Sequence, residues 1–410
     1  MQNYLNTRFP ALKHSDFRLF WSSLFISNVG SQMQFVAINW QVYELTHSAF
    51  ALGMVGLLRF IPISLFSLIG GSVADAHNRK KILFVTQSTL TLLSFVLALI
   101  TFQHSANVVI IFLITALSAG ALAFDMPARQ AFFPSLVNRT NLRNALALNS
   151  IMFQVATILG PTISGFAIAR SGVGLIYSVN SASFLFVLLS LFLIKEKGDI
   201  KGLPTKISIS SVLEGLSFVK TKTIIWSMMI LDFFSTFFSS ATALMPIFAK
   251  DILHVGPTGL GLLYAGPSAG AIVAGLFIAH RHKLRRQGMV LMVSVIFYAI
   301  GTVIFGLSKE LFISLIALFI IGAGDSISMI IRQTVRQLET PDSIRGRMTS
   351  INMIFAFGGP QLGDFEAGAL ASLIGAPLSV VTGGVGTFIV IAIMLVAIPK
   401  LRNYDYHKGN

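Results

Sequence analysis

Apolar stretches long enough to cross a bilayer recur along the whole chain, with charge gathered almost entirely between them. From Phe50 to Ile69, twenty residues carry one charge, Arg59; the polar stretch GGSVADAHNRKK follows, and the chain turns apolar again at Ile82. A Lys or Arg at the centre of a membrane helix costs about 2.5–3.5 kcal/mol, so such a cluster belongs outside the hydrocarbon. Crossing ~30 Å of hydrocarbon takes about 20 apolar residues per helix. On that measure helices are predicted at 17–43, 50–74, 82–103, 107–127, 145–170 and 174–194. A second set falls at 223–249, 258–280, 288–307, 311–331, 347–373 and 377–399. The expected fold is an all-α membrane protein with twelve transmembrane helices. Only 11% of the residues are charged, against about 25% in soluble proteins, too few to clothe a water-facing surface.

The net charge of +14 would suggest a nucleic-acid partner in a soluble protein. Its placement gives another answer. Of the 30 Lys and Arg, 26 fall in connections on one side, three on the other (Arg170, Lys250, Lys309), and Arg59 lies within a span. The positive-inside rule then places both termini in the cytoplasm and makes the basic charge topogenic. No nucleic acid is expected, and the predicted location is a bacterial inner membrane. The chain has no cysteine, so thiol chemistry and thiolate metal sites are excluded. Its eight His fall in loops or at helix ends, which argues against a buried His relay or metal site. The first apolar run is too long for a cleavable signal and reads as helix 1. No cofactor is expected, and no nucleophile–base cluster suggests an enzyme.

The longest hydrophilic stretch divides the helices six and six. The expected organisation is an N-terminal half at 1–194, a linker at 195–222 and a C-terminal half at 223–410. Within the linker SISSVLEGLSFVK reads as an amphipathic helix on the membrane surface. The halves echo each other at an offset near 200: Arg129-Gln130 matches Arg332-Gln333, Arg143 matches Arg345, and Gly160-Pro161 matches Gly359-Pro360. A parallel repeat implies halves related by a pseudo-two-fold along the membrane normal, with a site at their interface.

Together these features resemble the major facilitator superfamily over essentially the full chain. GSVADAHNRK is similar to the loop 2–3 signature G-x-x-x-D-[RK]-x-G-[RK]-[RK], through Gly71, Asp75, Arg79 and Lys80; Ala76 and Asn78 depart from it. LGPTISG resembles the G-P-x-x-x-G signature of exporting antiporters, and FDMPARQAFFPSLV resembles the enterobactin-exporter and macrolide-efflux branch. The resemblance implies a gating set: Asp75 beside the start of helix 11, with Arg79, Arg129 and Arg345 near it. Gly160 and Pro161 are expected to let helix 5 bend, since proline removes a backbone hydrogen bond.

Charge within the spans is the best pointer to chemistry, because it is costly unless partnered or wet. Arg59 lies about ten residues into helix 2 and Asp232 about ten into helix 7; Asp325 lies in the inner half of helix 10. Asp364 and Glu366 stand about 200° apart around helix 11, so only one is expected to face a cavity. In the resembled fold helices 2 and 11 are neighbours, which makes Arg59 with Asp364 or Glu366 a candidate ion pair. Asp232, with Ser235, Thr236 and Ser239 on its face, is the first choice of proton carrier; Asp364 and Glu366 are the others. Asn28, Gln32, Phe35 and Asn39 form one stripe of helix 1, and Gln154 shares a face of helix 5 with Ser150 and Thr157. Asn28, Gln32, Asn39, Arg59 and Gln154 are the candidate substrate contacts. The expected function is secondary active export of a medium-sized organic molecule, a siderophore or drug, by alternating access and proton antiport. An importer, or a lipid translocator without ion coupling, is the alternative. The expected partners are the small organic substrate, protons and the lipid bilayer, and the expected state is a monomer.

Overall fold

Twelve long helices and no strand make up the described residues of the computed structural model, which are 9–198, 217, 219, 221–280, 285–341 and 345–405. The helices are α1 Ser15–Thr46, α2 Ala49–Ala76, α3 Arg79–Phe102, α4 Val108–Phe132, α5 Leu142–Ser171 and α6 Val173–Leu193. They continue with α7 Thr223–Phe238, α8 Gly256–His280, α9 Gln287–Leu307, α10 Leu311–Glu339, α11 Arg345–Ile374 and α12 Ala376–Ala397. Among the described residues nine of these are long and apolar enough to cross a membrane, and α1, α7 and α11 are not among the nine. Those three carry Asn28, Gln32, Asp232, Asp364 and Glu366, so polarity is concentrated where chemistry is expected. Bulky apolar side chains lie open on the helix exteriors, with Phe192 at 80%, Phe312 at 74% and Val396 at 82% exposure. A surface of that kind is stable only against lipid. The linker segment SISSVLEGLSFVK lies outside the described residues apart from Ser217 and Val219.

Two helices depart from the boundaries expected of them. The apolar run predicts helix 7 to 249, but the helix ends at Phe238; a loop and a short turn at Met245–Ile247 follow, then a π-helical turn at Phe248–Ile252. Pro246 has no N–H for the Thr242 carbonyl four residues back, which accepts from the Tyr264 hydroxyl at 3.0 Å instead, and the Ala243 N–H past the helix end donates to the Asp364 carboxylate at 3.2 Å. α10 runs eight residues past the expected 331, to Glu339. Its last two turns are polar, but helical hydrogen bonding continues where apolarity stops.

The chain divides into two compact units, Met1–Leu45 with Ile61–Ile207, and Thr46–Phe60 with Ser208–Asn410. The division falls inside α2 beside Pro62, where the proline removes a backbone bond.

In the first unit α3 packs on α4 and α6, and α5 on α6. One end is sealed by Phe17 edge-on to Phe133 at 5.1 Å and Phe20 edge-on to Phe132 at 5.4 Å. The middle is joined by polar contacts: Gln34 Oε1 accepts from Ser94 at 2.6 Å and from Asn180 at 2.7 Å. Tyr177 donates to Gln41 at 2.7 Å. Such bonds tie helices where the hydrophobic effect contributes little between them. α1 meets α5 at Gly160, where an added Cβ would lie 2.9 Å from the Val29 carbonyl oxygen and against Gln32.

In the second unit α10 packs on α8 and α9, α9 on α12, and α7 on α11 and α12. Its core is formed by Met228, Leu231, Leu291, Val295, Ile331 and Ile391. The 49–60 stretch of α2 packs on α11, with Gly53 and Gly56 set against the backbone around Gln361 and Asp364.

Candidate functional site

In the first unit the GGSVADAHNRKK stretch is a pinned helix–helix turn. Asn78, where the resembled signature has Gly, caps α3 by accepting from the Lys81 N–H at 3.0 Å. Its amide donates to the Lys197 carbonyl at 2.7 Å, and Lys80 Nζ donates to the Ile194 carbonyl, just past α6, at 2.7 Å. A cation at a helix C-terminus meets the negative end of its dipole. Arg79 donates to the Ala131 carbonyl at 3.1 Å. Asp75 is half-buried and makes no hydrogen bond or ion pair among the described residues. Arg129 instead pairs with Asp125, four residues back on α4, at 2.5 Å. Asp125 is fully buried and also accepts from Thr86 at 2.9 Å and Gln87 at 2.7 Å, so α3 and α4 are locked together through one carboxylate.

Asn39 is buried and donates to the Phe35 carbonyl at 3.1 Å. Gln32 is half-buried beside Gly160, and Asn28 and Gln154 are half-buried on α1 and α5. Pro161 is buried in an α5 that runs unbroken through it. Arg345 opens α11, and its side chain lies outside the described residues.

In the second unit the charged groups gather in two places. Near the start of α2, Arg59 and Asp364 are electrostatic partners. Asp364 Oδ1 accepts from Ser240 at 2.5 Å and from the Ala243 N–H at 3.2 Å, so it ties α11 to the broken end of α7. Glu366 is half-buried and makes no hydrogen bond or ion pair among the described residues.

The second place lies where α7, α9, α10 and α11 meet. Asp232, 9% exposed, pairs directly with Arg332 of α10. The same guanidinium lies 3.9 Å from Asp325 through its second nitrogen, so one cation stands between two carboxylates. Two cavities flank it. One is lined by Ile225, Met228 and Met229 with Asp232, Arg332, Arg336 and Asn352. The other is lined by Ser235, Thr236, Tyr298, Asp325, Ser328 and Arg332. On one side, therefore, the pair meets thioether and aliphatic walls with a second guanidinium; on the other it meets hydroxyls and a carboxylate. Phe233, Phe234, Phe237 and Phe238 pack on one another, with Phe233 stacked on Phe237 at 6.1 Å.

Arg332 and Asp125 were not singled out as site residues from the sequence. In the sequence Arg332 reads as one of the topogenic charges at the end of α10. Asp125 sits four residues before Arg129, a spacing that brings side chains together on a helix and was open to reading.

The twelve-helix architecture has close structural counterparts. The nucleoside transporter NupG superposes with a TM-score of 0.72 at 12% identity, covering 95% of this chain and all of that one. A bacterial homologue of the human lysosomal transporter Spinster, inward-facing and unoccupied, gives 0.75 at 13% identity over 96% and 98% of the two chains. The fold is thus that of major facilitator transporters. The family described as transmembrane secretion effector matches residues 6–409, and the chain belongs to it. The protein is an integral membrane transporter of the major facilitator superfamily. It is 26% identical to the enterobactin exporter EntS of Citrobacter koseri, over 95% of this chain and 94% of that protein. The enterobactin exporter EntS of Escherichia coli strain K12 is 25% identical over the same shares.

Proposed function

We propose that this transporter exports a medium-sized organic molecule of the siderophore or drug class from the bacterial cytoplasm, by alternating access coupled to inward proton flow. The observation that carries the direction is the end-to-end similarity to enterobactin exporters within a family described by secretion. Proton coupling is supported by the acidic groups of the second unit, Asp232, Asp364 and Glu366, two of them buried within a chain whose exterior is fitted to lipid. A buried carboxylate that alternates between charged and neutral forms gives a proton a place to travel while substrate moves the other way. The Asp232–Arg332 pair and its flanking cavities support assigning the coupling to the α7–α10 region.

Substrate contacts are assigned to Asn28, Gln32, Asn39 and Gln154 in the first unit and to Arg59 in the second. Asp75, Arg79, Arg129, Gly160, Pro161 and Arg345 are assigned to the conformational change, by their match to the family signatures. The sorting of basic residues supports an inner-membrane location with both termini cytoplasmic, and halves at 1–194 and 223–410 joined by the 195–222 linker. The test is enterobactin movement in inverted membrane vesicles, whose lumen stands for the cell exterior. Accumulation in an acidified lumen is expected; movement only in the opposite direction would overturn the export reading.

A further inference from the structure

The carboxylates of the helix bundle differ in what surrounds them, and the difference bears on which one exchanges a proton. This inference rests on the proton-coupled reading above. Asp125 accepts from the Arg129 guanidinium, the Gln87 amide and the Thr86 hydroxyl. Asp364 accepts from the Ala243 N–H and the Ser240 hydroxyl and has Arg59 as its electrostatic partner. Asp232 is held by Arg332. A guanidinium or a backbone N–H only donates, and a guanidinium beside a carboxylate stabilises its charged form, so each of these sites favours the carboxylate.

Asp325 is different. Its nearest cation is Arg332 at 3.9 Å, whose other nitrogen is committed to Asp232; its side chain is 47% exposed, and it lines a cavity. Ser235 and Ser328 line the same cavity at 3% and 2% exposure, and their hydroxyl oxygens are buried without a hydrogen-bond partner. A hydroxyl donates to a carboxylate and accepts from a carboxylic acid, so it serves both protonation states. The other titratable groups that face Asp325 are Tyr298 of α9 and Asp232 of α7; Arg336 lies one turn beyond Arg332. On α8, Tyr264 is bonded to the Thr242 carbonyl and His280 is exposed at the helix end.

We infer that Asp325 is the proton-exchanging carboxyl, with the hydroxyls of Ser235 and Ser328 in the same cavity available to either charge state and Asp232 as the group that keeps Arg332 from quenching it. A proton from hydronium adds to an Asp325 carboxylate oxygen and leaves water, so the cluster gains one positive charge and Arg332 is left to Asp232 alone. On the return step the proton passes to water on the opposite side, and Arg332 again stands between two carboxylates.

The test is modification of the full-length protein in lipid nanodiscs with dicyclohexylcarbodiimide, which reacts with protonated carboxyls in apolar surroundings. Labelled sites are read by mass spectrometry at acidic and alkaline pH. In the wild type the label is expected on Asp325, falling several-fold at alkaline pH, with Asp232 and Asp125 unlabelled. In Asp232→Asn the released Arg332 turns to Asp325, and its labelling is expected to fall several-fold even at acidic pH. Labelling of Asp232 with Asp325 untouched, pH-independent labelling, or undiminished labelling of Asp325 in Asp232→Asn would each overturn the inference. The readout needs no transported substrate, so it stands apart from any failure of the export reading.

Discussion

Replacing Asp125 by Ala should be among the most damaging single changes in the first unit. The carboxylate is fully buried and holds three partners: Arg129 at 2.5 Å, Gln87 at 2.7 Å and Thr86 at 2.9 Å. Removing one member of a buried ion pair typically costs about 3–5 kcal/mol, because the other charge is left uncompensated. Arg129 retains 22% side-chain exposure, so water recovers part of that loss and the lower end, about 3 kcal/mol, is expected. For a unit of this size that corresponds to a fall in melting temperature of about 6–12 °C. Asp125→Asn keeps an acceptor for Thr86 and Gln87 and should cost less. The assay is thermal unfolding of purified protein in detergent, followed by a double-mutant cycle with Arg129→Ala. Strong coupling between positions 125 and 129 is expected, with none between 75 and 129. A melting temperature for Asp125→Ala within about 2 °C of the wild type would mean that the buried Asp125–Arg129 pair does not hold α3 to α4.

Other changes test the packing and the capping. Gly160→Ala places a methyl 2.9 Å from the Val29 carbonyl, so α1 and α5 must separate; a cost of about 1–3 kcal/mol is expected in the same unfolding assay. Asn78→Ala removes the cap of α3 and should cost about 0.5–2 kcal/mol, whereas Asn78→Asp, which keeps the accepting oxygen, should keep most of it. Ser240→Ala strips Asp364 of its 2.5 Å hydroxyl donor and should destabilise by about 1.5–3 kcal/mol; Ser22→Ala, whose serine is exposed, should stay within about 0.5 kcal/mol of the wild type.

The helical architecture was legible because each span must be apolar for its own length, a local requirement written directly into the residues. Where the requirement is not local, the sequence fell short. The end of helix 7 at Phe238 depends on Asp364, more than a hundred residues away, accepting the N–H that the break frees. Asp232 was visible as a charge in a span, but its partner Arg332 stands a hundred positions later in a stretch where basic residues are expected for topology alone. Asn78 looked like a departure from a signature, and its capping bond supplies a physical reason for that residue. The resemblance sets Arg129 near Asp75, whereas the i, i+4 spacing in the sequence points to Asp125, its partner in the structure. Helix 11 posed a choice between Asp364 and Glu366 that periodicity left open; Asp364 is the one drawn into α7, and Glu366 is not.

The most direct test of the account as a whole is enterobactin transport by the purified protein in liposomes of defined orientation, measured with and without an imposed proton gradient. With the cytoplasmic face outward and the lumen acidic, enterobactin should accumulate in the lumen against its own gradient, and collapsing the proton gradient should abolish the accumulation. Uphill accumulation that is unchanged when the proton gradient is collapsed would contradict proton-coupled export.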